Sequence, residues 1–521
     1  MNQTFVKSTL ILTVATLASK IIGSIFRIPL QNIAGDEVLG IFSLVYPVYM
    51  VALILSVAGI PIAISQLISS SYAKQDQESI FKIYKTAIIL TWLFGFFSFS
   101  IICLFSSQMA AVLGGPSTRP ALIIVSATLL IAPYMAVYRG YFQGIEDMRP
   151  TAISQVLEQL IRVGCILIFA HLLVKQGHTN EVVSGGIMIG SIMGAIASAI
   201  YLQSTFRRSP FKPDFTSFRY TYRDFKETGK RILFISLPIC IGAITMALLN
   251  FIDSVTIPFS LKNAESEQNI HYMYGIYGRG LSLVQIATVF SSSIVLPLIP
   301  LLTKTLAEKN FKHARKIVER VHYLTHLVSW PIATGLAALT LPINLALFKD
   351  MEGSSILFVI GFSSVFTSLT ILGTGILQGI NLAKQAAYMI VGAVLLKVIT
   401  NVVLIHIYGL MGAAYSTLIV YLVIFIGNTI LIGRVIPFSV WKWKTTSIVL
   451  SSIIMGALVG GSMFFFELAS WSRLGAFLFS ISAAMAGALI YLALIHLTKG
   501  FDRDILNFLP SITAKFSKRK K

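Results

Sequence analysis

Seven ionisable side chains stand inside long apolar runs: Lys20, Arg27, Glu158, Arg162, Asp253, Arg279 and Lys397. Lys20 and Arg27 are two helical turns apart with Gly23 and Ser24 between them, so on one helix they make a cationic face with room for a bulky anionic group. Gln155, Glu158, Gln159 and Arg162 follow i, i+3, i+4, i+7 spacing and form one polar stripe. Asn250, Asp253 and Ser254 form a shorter one, and Lys397 and Asn401 are one turn apart. Cations dominate this set. If Glu158 pairs with Arg162, its i+4 neighbour, and Asp253 with another cation, about three positive charges are left over. A leftover cation in an apolar setting needs an anion from elsewhere. A phosphate held by the two-donor fork of arginine meets that need.

The expected substrate-binding set is therefore Arg27, Arg279, Lys20, Arg162 and Lys397, with Asp253 and Glu158 as ion-coupling or pairing residues. Each has a plainer alternative. Arg27 and Arg279 lie toward helix ends, where a long side chain can snorkel to the interface. Arg162 and Glu158 can simply lock two helices, and Asp253 either serves a coupling ion, Na+ or H+, or partners an arginine. No metal site is expected: His322 and His326 have no acidic or cysteine companions. There is no P-loop and no G-x-S-x-G elbow, so neither an ATPase nor covalent catalysis is expected, and no cofactor beyond a coupling ion.

The elements that hold these residues follow from composition. Of 521 residues, 55% are hydrophobic and 12% charged, with mean hydropathy +0.80. Soluble domains carry about 25% charged residues, so too little polar surface is available here for a water-facing shell. The three cysteines, Cys103, Cys165 and Cys240, fall in apolar segments and imply no disulfide framework. A membrane-crossing helix takes about 20 apolar residues. Such runs predict fourteen spans, near 8–30, 38–70, 81–107, 120–141, 151–174, 181–204, 230–258, 277–303, 318–342, 355–379, 385–407, 410–433, 446–467 and 474–497. The second is too long to be straight, and Pro47 and Pro61 predict a kink. The first is no cleaved signal peptide, because Lys20 and Arg27 interrupt it.

The net charge of +20 is explained by topology. With the N-terminus inside, 31 of the 41 Lys and Arg fall at cytoplasmic ends and 5 in outer loops, which places both termini in the cytoplasm and removes any need for nucleic acid. The tail with Lys515, Lys518, Arg519, Lys520 and Lys521 is expected to lie against anionic membrane lipids. So is the linker at 205–229, whose Phe211, Phe215, Phe218, Tyr220 and Tyr222 alternate with basic residues. Phe142-Gln143-Gly144-Ile145 is echoed at Leu377-Gln378-Gly379-Ile380, an offset of 235 that also sets Arg162 on Lys397. Six spans separate the copies, so the repeats are parallel, a transporter pattern. The expected organisation is an N-lobe at 1–204, the linker at 205–229, a C-lobe at 230–433, two further spans within 434–497 and a basic tail at 498–521.

Tyr138-Arg139-Gly140-Tyr141-Phe142-Gln143-Gly144, then Met148-Arg149-Pro150-Thr151-Ala152 and Gln155 through Arg162, resembles the signature of the stage V sporulation protein B group. That group sits among the oligosaccharide flippases of the MOP exporter superfamily, alongside the MurJ lipid II flippases and the multidrug MATE carriers. Ser19-Lys20 through Arg27, Tyr277-Gly278-Arg279-Gly280, and Lys397 with Asn401 before Gly412-Ala413-Ala414-Tyr415-Ser416-Thr417 extend the resemblance over about residues 5–435. It implies an all-α membrane protein of fourteen helices, with two parallel six-helix repeats around a V-shaped central cavity and two C-terminal helices. It also implies transport of an undecaprenyl-pyrophosphate-linked saccharide across a bacterial plasma membrane, for peptidoglycan, polysaccharide or spore-wall synthesis, with a glycan polymerase as downstream partner. Arg27 and Arg279 resemble cavity arginines of MurJ-like flippases, although Ser282 stands where those carry an acid. The alternatives are a cation-coupled multidrug antiporter of the same fold and a non-transporting scaffold for glycan polymerisation.

Overall fold

The structure is a computed structural model that describes residues 3–57, 59–209, 211–212, 218–264, 269–439, 442–463 and 471–500. Linker residue Phe215, residues 464–467 of the thirteenth predicted span and the tail from 501 onward, with Lys515, Lys518, Arg519, Lys520 and Lys521, lie outside them. Every regular element among the described residues is helical. The first ten are α1 (Gln3–Ile25), α2 (Arg27–Val57), α3 (Ile60–Tyr72), α4 (Gln77–Leu104), α5 (Ser106–Val112), α6 (Arg119–Ser126), α7 (Ala132–Gly144), α8 (Arg149–Lys175), α9 (Asn180–Arg207) and α10 (Tyr222–Ala264). The rest are α11 (Ile270–Ala287), α12 (Val289–Ala307), α13 (Phe311–Ala338), α14 (Thr340–Phe348), α15 (Ser354–Gly379), α16 (Ala383–Tyr408), α17 (Leu410–Val435), α18 (Trp443–Ser462) and α19 (Arg473–Leu497).

Where they are described, the predicted spans fall on these helices, some of them broken. Among the described residues ten runs are long and apolar enough to cross a membrane, the first of which, Ile11–Tyr72, covers two predicted spans. An eleventh is the bent pair α13 and α14, 76° apart. The protein is an all-α, multi-pass membrane protein. In hydrocarbon each span must satisfy its own backbone hydrogen bonds, which only a helix achieves within one segment. The ends are set by side chains that accept from exposed amides. Asp76 caps α4 through Ser79 N at 3.0 Å, Asn269 caps α11 through His271 N at 3.1 Å, and Asn310 caps α13 through His313 N at 3.0 Å. Pro61 stands just inside α3, where the long second span breaks, whereas Pro47 is carried within α2. Outward-facing Trp92, Leu93, Phe96 and Phe97 on α4 are more than half exposed, as a lipid-facing helix requires.

Packing divides the chain into two compact units. The first comprises Met1–Val289 with Asn381–Ile424, the second Phe290–Ile380 with Phe425–Lys521. These units are defined by packing, while the expected lobes are defined by the repeat. In the first unit α2 packs against α10 and α11, α8 against α1 and α9, and α10 against α16. An aromatic group of Tyr84, Tyr138, Tyr141 and Phe206 ties α4, α7 and α9 together. The linker lies on α3 and α4: Phe211 meets Tyr72 edge-on, and Tyr220 bonds Thr86 at 2.8 Å under the Lys85 ammonium. Lys82 and then Thr221 bond the Asp224 carboxylate and hold it down at about 2. In the second unit Trp330, Phe362, Phe366 and Phe425 pack α13 on α15 and α17, and an apolar cavity of about 490 Å³ lies between α13, α14, α18 and α19.

Candidate anion site and buried ion pairs

Arg27 is the first residue of α2, directly after the break that ends α1, and is buried. Its guanidinium carbon lies 5.5 Å from the Phe42 ring centre and 5.9 Å from that of Tyr46. Arg162, from α8, lies 5.9 Å from the same Tyr46 ring and donates to the Tyr46 hydroxyl at 3.3 Å. Tyr46 thus carries two guanidiniums, and neither is within ion-pair distance of a carboxylate among the described residues. Gln159, one turn before Arg162, points its amide at the bare face of Gly23, where a Cβ would sit 2.6 Å from Nε2. The α1–α8 contact is secured beside it by Thr16, which donates to Gln155 Oε1 at 2.9 Å.

This arrangement leaves N–H groups without acceptors. Nε of Arg27, Nε of Arg162 and Nε2 of Gln159 are all buried with no hydrogen-bond partner. Each such donor costs about 1–3 kcal/mol, more when charged. A desolvated cation over an aromatic ring regains about 2 kcal/mol or more. The rings supply neither an acceptor for these N–H groups nor a counter-charge, and an anion would supply both.

Arg279 is in the opposite condition. It is fully buried, and it donates through Nε to Asp36 Oδ1 at 2.6 Å and through Nη2 to Asp36 Oδ2, a two-point pair. Gln31 Nε2 also donates to Asp36 Oδ2, at 3.0 Å. The pair forms because α2 and α11 approach to backbone contact. A Cβ on Gly40 would sit 1.8 Å from the His271 carbonyl oxygen, and one on Gly275 2.0 Å from that of Asp36. Gly35, at φ 81°, turns the chain so that Asp36 faces α11.

Two further pairs complete the inventory. Glu158 meets Arg139, with Nη2 to Oε2 at 2.7 Å, and Arg139 also donates to Ser154 at 3.1 Å and Ser198 at 3.1 Å. This overturns the expected Glu158–Arg162 pair: Arg162 is turned toward Tyr46, and a nearer arginine from α7 takes the acid. Lys397 Nζ lies 3.2 Å from Asp253 Oδ1 and 2.5 Å from Thr417 Oγ1, with both side chains buried. Lys20 lies on α1 before the break, is exposed, and joins none of these clusters.

The model of the family described as polysaccharide biosynthesis protein matches residues 5–306, more than half of the chain. The chain belongs to that family. It is 26% identical to the lipid II flippase MurJ of Bacillus subtilis (strain 168), over 94% of this chain and 95% of that protein. It is 24% identical to stage V sporulation protein B of the same organism, over 98% of each. Among solved structures it is similar to lipid II flippase MurJ in an inward closed conformation, with TM-score 0.66, 18% identity, and 93% of this chain and all of that chain covered. That likeness establishes the fold.

In this polysaccharide biosynthesis family member, then, the structure brings Arg27 and Arg162 together and holds Arg279 and Lys397 on carboxylates of their own. Sequence reasoning missed Asp36, which reads as part of the loop between the first two predicted spans, and Arg139, which reads as a helix-end cation. It also missed Tyr46, whose only signal is its position one turn after Phe42.

Proposed function

We propose that this protein is a flippase of a bacterial plasma membrane, both termini cytoplasmic, that carries an undecaprenyl-pyrophosphate-linked saccharide from the inner to the outer leaflet by alternating access. The cargo is a peptidoglycan precursor such as lipid II or a polysaccharide repeat unit. The observation that carries this reading is the donor group of Arg27, Arg162 and Gln159, two cations without a carboxylate and an amide, in which Nε of each arginine and Nε2 of Gln159 have no acceptor. A pyrophosphate supplies both the charge and the oxygens that these donors lack, and the arginines can each hold it in bidentate fashion. Organic cations meet repulsion at the same place. The family membership and the likeness to the lipid II flippase MurJ along nearly the whole chain support the same reading.

In this orientation the start of α2 and the first turns of α11 lie toward the outer side, so Arg279 with Asp36 closes that side. Arg279 contributes nothing to cargo while Asp36 holds it. Opening outward parts α2 from α11 and frees a third arginine, which the cargo phosphates can take from Asp36. Transport of this kind is secondary and uses no ATP hydrolysis. Outside, a glycan polymerase consumes the saccharide. The test is thermal protection of the purified protein. Undecaprenyl-pyrophosphate saccharide should raise the melting temperature of the wild type and fail to raise that of the Arg27→Gln, Arg162→Gln double variant. Protection by organic cations instead, or equal protection of the double variant, overturns the reading.

A further inference from the structure

The α2–α11 contact holds a second titratable group, which the Asp36–Arg279 pair does not use. His271 stands on the first turn of α11, and its carbonyl oxygen is the atom that Gly40 of α2 faces. Its imidazole lies against the turn between α5 and α6. A Cβ on Gly114 would sit 3.3 Å from Nε2, and one on Gly115 3.9 Å from Cε1. These glycines run at φ 100° and 135°, a region that side chains avoid, so the turn presents bare backbone to the ring. One residue of α11 thus meets α2 with its backbone and the α5–α6 turn with its side chain.

His271 is 8% exposed, and its Nε2 is buried with no hydrogen-bond partner among the described residues. A neutral imidazole fits there, because it can keep its proton on Nδ1 and leave only a lone pair at Nε2. An imidazolium carries N–H on both nitrogens and sets a charged donor where no acceptor is in reach. The charges on the neighbouring elements do not repair this. Glu37 of α2 acts on the ring, but it already accepts from Asn180 Nδ2 at 2.8 Å. Asp36 is taken by Arg279, Arg119 of α6 donates to Ser106 at 3.2 Å, and Lys262 in the last turn of α10 is exposed. Tyr272 and Tyr274 of α11 keep their phenol protons at physiological pH. Glu265 and Glu267 lie outside the described residues. Burial holds the imidazole below the ordinary histidine range, with Glu37 opposing the shift. Once α11 leaves the turn, the ring regains water and that ordinary range.

We propose that His271 is a proton site that regulates the outer closure, a role that rests on the reading that α2 and α11 close the outer side. The packed arrangement excludes the proton, and a proton bound from outside favours the separated one. The sign follows from linkage: the separated state binds the proton more tightly, so acid shifts the population toward it. If the packed state takes no proton and the separated state titrates near about 6.5, lowering the pH from about 7.5 to about 5.5 raises the separated-to-packed ratio about tenfold.

The test is a distance measurement on the purified full-length protein in a cysteine-free background. Spin labels are placed at Glu181→Cys, at the start of α9, and Lys262→Cys, both exposed and on the outer side in the proposed orientation. Double electron–electron resonance should show the longer-distance population growing about tenfold relative to the shorter one over that pH change. His271→Gln, which takes no proton, should give one ratio at both pH values. His271→Arg, which always carries a charge, should be separated at both. Gly275→Ala forces α2 and α11 apart sterically and should lengthen the distance at either pH; if it does not, the closure reading falls and the proposal with it. Where Gly275→Ala does lengthen the distance, the proposal alone is overturned by a pH-independent wild type, by a response that survives His271→Gln, or by a packed His271→Arg.

Discussion

Arg27 and Arg279 carry the same charge and stand in opposite electrostatic conditions. Arg279 has a two-point carboxylate and no exposure; Arg27 has two aromatic rings and an orphaned Nε. The difference governs what substitution does. Breaking a buried ion pair from one side leaves the other charge stranded and costs about 3–5 kcal/mol. Asp36→Asn should therefore lower the melting temperature sharply, and adding Arg279→Gln should restore more than half of the loss, since no charge is then left unpaired. A double variant as unstable as the sum of the two singles would mean that Asp36 and Arg279 do not act as a pair. Arg27→Gln, by contrast, removes a cation that has no carboxylate partner among the described residues, and it should leave the melting temperature without cargo unchanged or higher while cargo protection is lost.

At the scale of elements, the close approach of α2 and α11 is set by glycine. At Gly40 and Gly275 a Cβ would fall well inside van der Waals contact distance of the facing carbonyl oxygen, so an alanine forces the helices apart. Overpacking of this kind costs about 1–3 kcal/mol. If α2 and α11 close the outer side, Gly275→Ala should also open it. A cysteine placed at the buried Ser282 of α11 should then react faster with a water-soluble thiol reagent than it does in the parent protein. Gly164→Ala, where an added Cβ meets nothing within 4 Å, serves as the control and should change neither stability nor labelling. Unchanged labelling in Gly275→Ala would separate the glycine contact from the closure.

For the whole molecule, the orientation rests on the uneven placement of Lys and Arg along the chain. In a cysteine-free background, Glu352→Cys in the α14–α15 loop should label from outside intact cells with a membrane-impermeant thiol reagent. Lys312→Cys, at the exposed start of α13, should label only after lysis. The reverse pattern would invert the protein, put the Arg279–Asp36 pair at the cytoplasmic side and exchange the roles given to the two ends.

The helical runs were legible in the sequence because a span in hydrocarbon has one way to satisfy its backbone, so hydropathy and length point to it. The caps Asp76, Asn269 and Asn310 are local as well, each decided within one turn of its helix. That unpaired cations must exist in the interior also followed from counting charges. Which cations those are did not. Glu158 has Arg162 four residues away and yet binds Arg139 on another helix, and Asp36 finds Arg279 across 243 residues. Partner choice among buried charges depends on which helix faces meet and how closely, and here that is decided by contacts such as Gly40 with His271 and Gly23 with Gln159. Only after Asp36, Asp253 and Glu158 have taken Arg279, Lys397 and Arg139 do Arg27 and Arg162 remain, among the described residues, as the paired cations of Tyr46 without a carboxylate. That remainder is a property of the packed helices, because each acid pairs with the cation that the packing brings nearest, and sequence separation plays no part in it.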